Sequence, residues 1–265
     1  MEPIEVRKII SDQIWENLEP AIRAAKHSAA GAPPEQSERE FVEAILYLNR
    51  VGCPWRDLPA GFGKWHSVYM RFRRWEACGV WRRLWEHLQT ELFAEARALF
   101  IDSTTVRAHQ HAAGAPKKNG LDQALGRSRG GLTTKLHAAT IDENCSVALH
   151  LTPGQAHDGR QFESLYESLP PDNVLEFAAL DKGYDADRIR ERLALDGIEV
   201  VIPPISTRCK NIPYNQDHYR ERNRVERFFN KLKQFRRVAT RYDKLRKTFF
   251  AAVHLVAAFV ILRNS

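Results

Sequence analysis

The chain has 265 residues, 43% of them hydrophobic, with 40 Lys and Arg against 33 Asp and Glu and a formal net charge of +7. This balance is typical of a folded globular protein, and the modest counts of 14 Gly and 13 Pro exclude collagen-like and broadly disordered chains. The positive charge favours polyanionic partners without identifying one.

The first third of the chain predicts three helices joined by segments that contain Gly and Pro. Ser37 and Glu40 form a capping box, which begins a helix that runs to about Val51. Two further helices are expected, from about Lys64 and from after Gly79. Three short helices in this arrangement suggest a small helix-turn-helix-like domain over residues 1–93.

The second of these helices has an apolar and a basic stripe. The apolar stripe, expected to face the core of the domain, comprises Trp65, Val68, Tyr69, Phe72 and Trp75. The basic stripe beside it, expected to face outward, includes Lys64, Arg71 and Arg74.

From residue 94 onward short strand-like runs dominate, so residues 94–265 are predicted to form a mixed α/β domain. Strands are expected at 98–102, 132–141, 146–152 and 176–181, followed by a helix and a further strand near 198–203. The Gly-rich basic segment 112–131 is predicted to be a mobile loop. The apolar stretch 249–262 is shorter than the roughly 20 residues of a membrane span, so it predicts a buried terminal helix.

The cysteines and the N-terminus indicate a reducing compartment. The four cysteines stand far apart without C-x-x-C spacing, so neither a zinc site nor a disulfide framework is indicated. The N-terminal residues alternate charged and apolar side chains, so no signal peptide is expected.

Two aspartates follow short apolar runs and are candidates for a site. Asp102 and Asp181 are each predicted at the end of a strand, where side chains of α/β sheets point into a ligand crevice. A single aspartate in such a place is more often a helix or turn cap.

A predicted helix over residues 219–233 carries the strongest pattern. Tyr219, Arg222, Glu226 and Lys233 are spaced 3, 4 and 7 residues apart, which places them within about 60° of one helix face. An isolated charged face is usually solvated and contributes little to stability. Together with Asp102 and Asp181, however, Glu226 makes three carboxylates, and a divalent cation such as Mg²⁺ or Mn²⁺ suits such oxygen ligands.

These residues match a known family. The sequences Asp-Ser-Thr at 102–104 and ALDKGYD at 179–185, with Tyr219, Arg222, Glu226 and Lys233, resemble the DDE transposases of bacterial insertion sequences, specifically the insertion-sequence-five family with its Y-x₂-R-x₃-E-x₆-K signature. GRSRGGLTTKLHA at 126–138, RRVATRYDKL at 236–245 and PWRDLP with RRWEACGVW in the N-terminal part are similar to the same family. The resemblance covers nearly the whole chain.

The resemblance implies a fold, an activity and partners. The implied activity is that of a DNA transposase, which binds the terminal inverted repeats of its insertion sequence, cleaves DNA at the element ends and joins the 3′-hydroxyl ends to target DNA. The resemblance also implies a ribonuclease H-like catalytic domain of α+β or mixed α/β class over 94–265, with Asp102, Asp181 and Glu226 as catalytic and metal-binding residues. The cofactor would be two Mg²⁺ ions per site, for which Mn²⁺ substitutes, with no small-molecule cofactor. The partners would be double-stranded DNA, at the terminal inverted repeats and the target, and a second copy of the chain. No membrane partner is expected, and the bacterial cytoplasm, in association with the nucleoid, would be the location.

The charge distribution agrees with DNA binding. Residues 220–247 hold 12 basic and 3 acidic side chains, and residues 64–83 hold six basic residues against Glu76. Lys and Arg on phosphates give salt-sensitive affinity that is independent of sequence. The DNA-contacting candidates are Tyr219, Arg222, Lys233, Lys64, Arg71, Arg74, Arg127, Arg129 and Lys135.

Two other interpretations use the same residues. A ribonuclease H-like nuclease or resolvase would need the three carboxylates but no end-specific helical domain, and a transposase-derived repressor would be catalytically silent.

His109 and His111 form an H-x-H pair without a third metal ligand, which favours a substrate contact or a loop role. Asp142, Glu143 and Asp158 are predicted to be turn residues.

Overall fold

The computed structural model describes residues 8–26, 36–114, 122–171, 174–209 and 212–263. Within the described residues, four α-helices precede the first strand. They are α1 (Asp12–Ala25), α2 (Glu38–Val51), α3 (Trp65–Ala77) and α4 (Val80–Ala94). The sequence predicts α2, α3 and α4 at these places, and the Ser37–Glu40 capping box of α2 is present. Helix α1 is not among the predicted elements, and the Gly- and Pro-containing segment 31–34 lies outside the described residues.

The rest of the chain alternates strands and helices. In order, they are β1 (Ala98–Ala108), β2 (Gly126–Ser128), β3 (Gly131–Thr140), β4 (Ser146–Pro153), α5 (Phe162–Tyr166), β5 (Phe177–Leu180), α6 (Asp187–Leu195), β6 (Glu199–Val201), α7 (Gln216–Arg220), α8 (Asn223–Lys233), α9 (Arg236–Ala239), β7 (Thr240–Arg241) and α10 (Arg246–Arg263).

The sheet has an antiparallel half and a parallel half. Strand β3 pairs antiparallel with both β4 and β1. On its other side β1 pairs parallel with β5, and β5 pairs parallel with β6. The principal order is therefore β4-β3-β1-β5-β6, with β1 at the centre. This order and orientation form a ribonuclease H-like sheet, as the resemblance implies.

Three predicted elements differ from the structure. Strand β1 does not end at residue 102 but continues to Ala108, because β3 pairs with it along its length. The predicted loop 112–131 contains β2, which forms a hairpin with β3, while residues 115–121 of that loop lie outside the described residues. The predicted helix 219–233 is divided into α7 and α8 by a turn at Glu221 and Arg222.

The helical region and the sheet share one hydrophobic core. The buried helix α10 packs against α4 and α1 and also contacts α8 and β4. The indole Nε1 of Trp85 on α4 donates to the Ser146 hydroxyl at the start of β4, at 3.1 Å. The domain boundary proposed from the sequence, between residues 93 and 94, therefore falls within one continuous hydrophobic core. Within the described ranges no helix is long and apolar enough to cross a membrane.

Candidate active site

The register of two parallel strands brings Asp102 and Asp181 side by side. Ile101 on β1 is paired with Leu180 on β5. Asp102 directly follows Ile101 in the chain, and Asp181 directly follows Leu180. Each carboxylate accepts a hydrogen bond of 2.7 Å from the backbone N–H of the following residue. Both side chains therefore lie where β1 and β5 stop pairing, at the edge from which the chain leaves β5.

Arg222 links this edge to helix α8. Its Nη1 donates to Asp102 Oδ2 at 2.8 Å, and its Nη2 donates to Glu226 Oε1 one helical turn later. The guanidinium carbon lies 5.8 Å from the centroid of the Tyr219 ring. The turn that separates α7 from α8 therefore does not disperse the predicted face, because Arg222 sits in the turn itself and reaches both carboxylates.

Lys233 lies at the other end of α8 and also faces β1. Its Nζ donates to the Thr104 hydroxyl at 2.6 Å. Lys233 is half-buried, and burial lowers the pKa of its ammonium group. The side chains of Arg222 and Lys233 therefore run along one side of β1, from Asp102 to Thr104.

Asp102 and Asp181 lie close enough for the charge of Asp181 to affect the pKa of the Asp102 carboxyl group. Burial raises the pKa of Asp102 above its usual value, the charge of Asp181 raises it further, and Arg222 opposes both effects. The carboxylates of Asp102 and Glu226 in turn raise the pKa of Arg222. Glu226 itself is exposed, with 53% of its side-chain surface accessible.

Asp158 belongs to the same region, although its sequence context predicts only a turn. Its Oδ1 accepts from the Ser103 hydroxyl at 2.7 Å and lies 3.1 Å from Lys135 Nζ. Burial lowers the pKa of the neighbouring His137 to about 4, which keeps its ring neutral near pH 7. Asp158 thus ties the residue after Asp102 to strand β3, a contact that only the tertiary fold creates.

Tyr184 is a buried residue that feels the charges of this site. Only 2% of its surface is exposed, and its hydroxyl has no hydrogen-bond partner within the described part of the chain. Burial, followed by the charges of Asp158, Asp102 and Asp181, raises its pKa well above the usual value. The tyrosine is therefore a neutral hydroxyl next to three carboxylates.

The donor set suits a hard divalent cation. Asp102, Asp181 and Glu226 offer carboxylate oxygens, which Mg²⁺ and Mn²⁺ prefer, and positive charge opposes the rise that Asp181 causes in the pKa of Asp102. Among the residues that the structure describes, no three acidic, His or Cys side chains stand close enough together to hold an ion. In this arrangement the guanidinium of Arg222 supplies the positive charge between Asp102 and Glu226.

The predicted DNA-contacting residues fall into different environments. Lys64, Arg74, Arg127 and Arg129 are exposed, the last two on the β2–β3 hairpin. Lys135 points inward and bonds to the Ala156 carbonyl as well as facing Asp158.

The prediction for Arg71 is wrong. It is 8% exposed, its guanidinium lies 4.3 Å from the centroid of Phe41, and it donates to the Gln36 carbonyl. The reason is its spacing, since Arg71 follows Val68 by three residues and precedes Trp75 by four, which places it on the buried face of α3.

Two family models match consecutive parts of the chain. Residues 10–85 match the family described as "Putative transposase of IS4/5 family", and residues 94–261 match the family "Transposase DDE domain". The second match contains Asp102, Asp181 and Glu226. Proteins of that family depend on divalent metal ions.

Three curated proteins are similar to part of the chain. It is 33% identical over 135 residues to "Putative transposase for insertion sequence element IS6501" of Brucella ovis, which covers 50% of this chain and all of that protein. It is 33% identical over 143 residues to "Insertion element IS402 uncharacterized 16.2 kDa protein" of Burkholderia cepacia, covering 51% of this chain and 95% of the relative. It is 38% identical over 111 residues to "Uncharacterized protein y4sN" of Sinorhizobium fredii, covering 42% and 86% respectively.

A solved structure, "Crystal structure of a pre-cleavage Mos1 transpososome", aligns over 98% of this chain and 89% of its own at 11% identity. Its TM-score of 0.27 is too low to support a conclusion about the fold, which rests on the strand order of the sheet. The match of the DDE domain model to residues 94–261, more than half of the chain, decides the assignment. The chain belongs to the DDE transposase family of insertion sequences.

Proposed function

We propose that this DDE transposase binds the terminal inverted repeats of its own insertion sequence, cleaves DNA at the element ends and joins the freed 3′-hydroxyls to target DNA. The observation that carries the proposal is that Asp102 and Asp181 lie side by side at one sheet edge, while Arg222 joins Asp102 to Glu226 on α8.

Asp102, Asp181 and Glu226 would hold the divalent cations, and we propose two Mg²⁺ ions per site with Mn²⁺ as a substitute. When bound, such a pair activates an attacking water or hydroxyl and stabilises the leaving oxygen of a phosphodiester.

The protein's own groups position the DNA. Arg222 already lies against Asp102, so its guanidinium is placed to bind the phosphate that reaches these carboxylates. Lys233, which bonds to Thr104 on the same side of β1, holds the strand further along. Tyr219 supports Arg222 through the face of its ring.

The exposed cations extend this surface. Lys64, Arg74, Arg127 and Arg129 are proposed to contact DNA phosphates, while base contacts from the helical region 1–93 would select the element ends. Synapsis of two ends requires a dimer on DNA. We place the protein in the bacterial cytoplasm, in association with the nucleoid.

The proposal is tested by incubating the full chain with Mn²⁺ or Mg²⁺ and DNA that carries the element ends, with a scrambled-end duplex as control. Nicks and joined products are mapped to the nucleotide. We expect nicks at the junction between element and flank, and joined products that depend on the metal. Equal cleavage of scrambled ends would contradict end recognition, and no cleavage with either metal would contradict the enzymatic function.

A further inference from the structure

A large cavity lies at the end of β1 that is remote from Asp102. Its volume is about 790 Å³, which is in the range of small-molecule binding pockets. Three separate parts of the chain line it: the helical region, the turn after β1 that holds the H-x-H pair, and the segment from α9 to the first turn of α10. The DDE chemistry assigned above does not use any of these residues.

Aromatic rings form much of the cavity lining. The rings of Trp55 and Tyr69 are 5.0 Å apart between centroids, and Trp65 also lines the cavity. Across from them, the ring of His109 lies 5.0 Å from that of Tyr242. These five side chains are only half-buried, so part of each ring is open to a planar ligand. Guanidinium groups already lie over four of the rings, those of Trp55, Trp65, Tyr69 and Tyr242.

The polar groups of the cavity are mainly cationic. Arg73, Arg237 and Lys244 line it, together with one carboxylate, Asp243. Asp243 is paired with Arg237 at 3.0 Å and Arg73 with Glu76 at 3.4 Å, so Lys244 supplies the excess charge. The Thr248 hydroxyl is buried in the lining and has no hydrogen-bond partner within the described residues. The cavity therefore combines stacking surfaces, excess positive charge and an unused hydrogen-bonding group, a combination that suits a nucleobase with its phosphate.

The position of the cavity relates it to the catalytic edge. His109, the residue directly after β1, follows Asp102 by seven residues, which corresponds to about 23 Å at the rise of an extended strand. Lys233, bound to Thr104, and the exposed Arg107 lie between the two places. At about 3.4 Å per nucleotide, this distance is equivalent to roughly seven nucleotides of one DNA strand.

We propose that this aromatic cavity receives one unpaired nucleobase of the DNA, roughly seven nucleotides from the phosphate at Asp102. The inference rests on the proposed function, since it requires DNA bound along β1. A base in an intact duplex is stacked on its neighbours and cannot enter a closed pocket, so the base must be extruded or already unpaired. Stacking on Trp65, Tyr69 or Tyr242 then replaces the stacking lost in the duplex.

The test uses the full chain and two duplexes of equal length, one fully paired and one with a single unpaired 5-iodouracil nucleotide. Irradiation couples the iodouracil to an adjacent aromatic side chain, and mass spectrometry identifies the coupled residue. We expect coupling to a ring of the cavity and an affinity roughly tenfold higher for the duplex with the unpaired nucleotide. The coupling is mapped in the unaltered protein, so it does not depend on a variant that folds.

Matched variants test which ring does the stacking. Trp65→Ala is expected to bring the affinity ratio of the two duplexes close to one with little change for the paired duplex, whereas Trp65→Phe keeps a ring and most of the preference. Tyr166→Ala, which removes an aromatic side chain outside the cavity, should leave the ratio unchanged.

The two proposals fail in different ways. Coupling outside the cavity, or equal affinity for both duplexes in the unaltered chain, overturns the cavity assignment while DNA binding stands. Absence of binding to either duplex contradicts the proposed function and the cavity assignment with it.

Discussion

At the scale of single residues, Arg222 determines the charge balance of the proposed catalytic edge. One guanidinium joins Asp102 on β1 to Glu226 on α8, and the same charge opposes the rise in the pKa of Asp102 that burial and Asp181 cause. The side chain is therefore both a neutralising group in the free protein and a competitor for any cation that binds the same carboxylates.

Arg222→Ala should separate these two roles. We expect the variant to bind Mn²⁺ about tenfold more tightly by calorimetry, because the carboxylates lose their internal cation, a change of about 1.4 kcal/mol. Cleavage of end DNA should nevertheless fall, because the phosphate loses its positioning group. Arg227→Ala on the same helix, where Arg227 faces solvent and Glu143, is the control and should change neither quantity. Unchanged or weaker Mn²⁺ binding in Arg222→Ala would contradict the competition.

His254 gives the protein a defined acid sensitivity. Its ring lies between Trp85 and Phe250, and burial, with a contribution from Arg82, lowers its pKa to about 3. The unfolded chain binds this proton near pH 6.5 and the folded chain only near pH 3, so the free energy of unfolding falls as the pH drops between these values, by up to about 1.4 kcal/mol per pH unit.

His254→Gln should reduce the slope of the free energy of unfolding against pH, measured by urea unfolding from about pH 6.5 to about pH 4. The reduction should correspond to the uptake of about one proton fewer on unfolding. His87→Gln, at an exposed site on α4, should keep the slope of the unaltered chain. Identical slopes for the two variants would show that His254 does not titrate as the structure requires.

Residues that share local spacing could be predicted from the sequence, whereas residues that meet only through tertiary contacts could not. The spacing of Tyr219, Arg222, Glu226 and Lys233 is a property of one segment, so periodicity predicted their common face. Asp158 meets Ser103, 55 residues earlier in the chain, and no local pattern encodes that contact. A finer use of periodicity would have placed Arg71 between two buried positions of α3.

At the scale of elements, the structure depends on where helices and strands end. Helix α2 ends at Gly52, whose φ of +81° lies in the left-handed region, and a Cβ there would stand 2.8 Å from the Cβ of Arg236. Gly197, after α6, has a similar φ of +76° but no atom within 4 Å of such a Cβ. A comparison of the two glycines therefore separates the cost of a left-handed φ from the cost of a steric contact.

Gly197→Ala should lower the free energy of unfolding by about 1 kcal/mol, the cost of a left-handed alanine. Gly52→Ala should lower it by about 2–3 kcal/mol, because the new methyl group also displaces the start of α9. Urea titrations of both variants measure the difference. Equal losses would mean that the contact with Arg236 relaxes without cost.

The boundaries of elements were predicted less well than their existence. Strand β1 is extended beyond Asp102 by its pairing with β3, and the α7–α8 turn interrupts a segment whose side-chain pattern is continuous. Both differences arise from contacts with other elements. The apolar runs that became β3, β4 and β5 were found because burial within the sheet requires such composition.

At the scale of the whole molecule, the helical region and the sheet are joined through α4 and α10, and basic side chains project from both. Such a surface binds DNA largely through phosphates, with an affinity that falls as salt rises.

Arg127→Ala and Arg129→Ala are each expected to reduce the slope of log affinity against log salt by about one, because each removes one phosphate contact from the β2–β3 hairpin. Arg23→Ala on α1, where Arg23 is exposed and pairs with Glu19, removes equal charge elsewhere and should leave the slope unchanged. An equal fall of the slope in all three variants would show that the hairpin contributes only its general charge and no specific phosphate contacts.

The central claim is that Asp102, Asp181 and Glu226 form one catalytic centre. Its most direct test is cleavage of end DNA with Mn²⁺ by Asp102→Asn, Asp181→Asn and Glu226→Gln, with Glu221→Gln as the neighbouring control and DNA affinity measured beside each. We expect the first three variants to lose cleavage while still binding DNA, and Glu221→Gln to cleave normally. Near-normal cleavage by any of the three would contradict it.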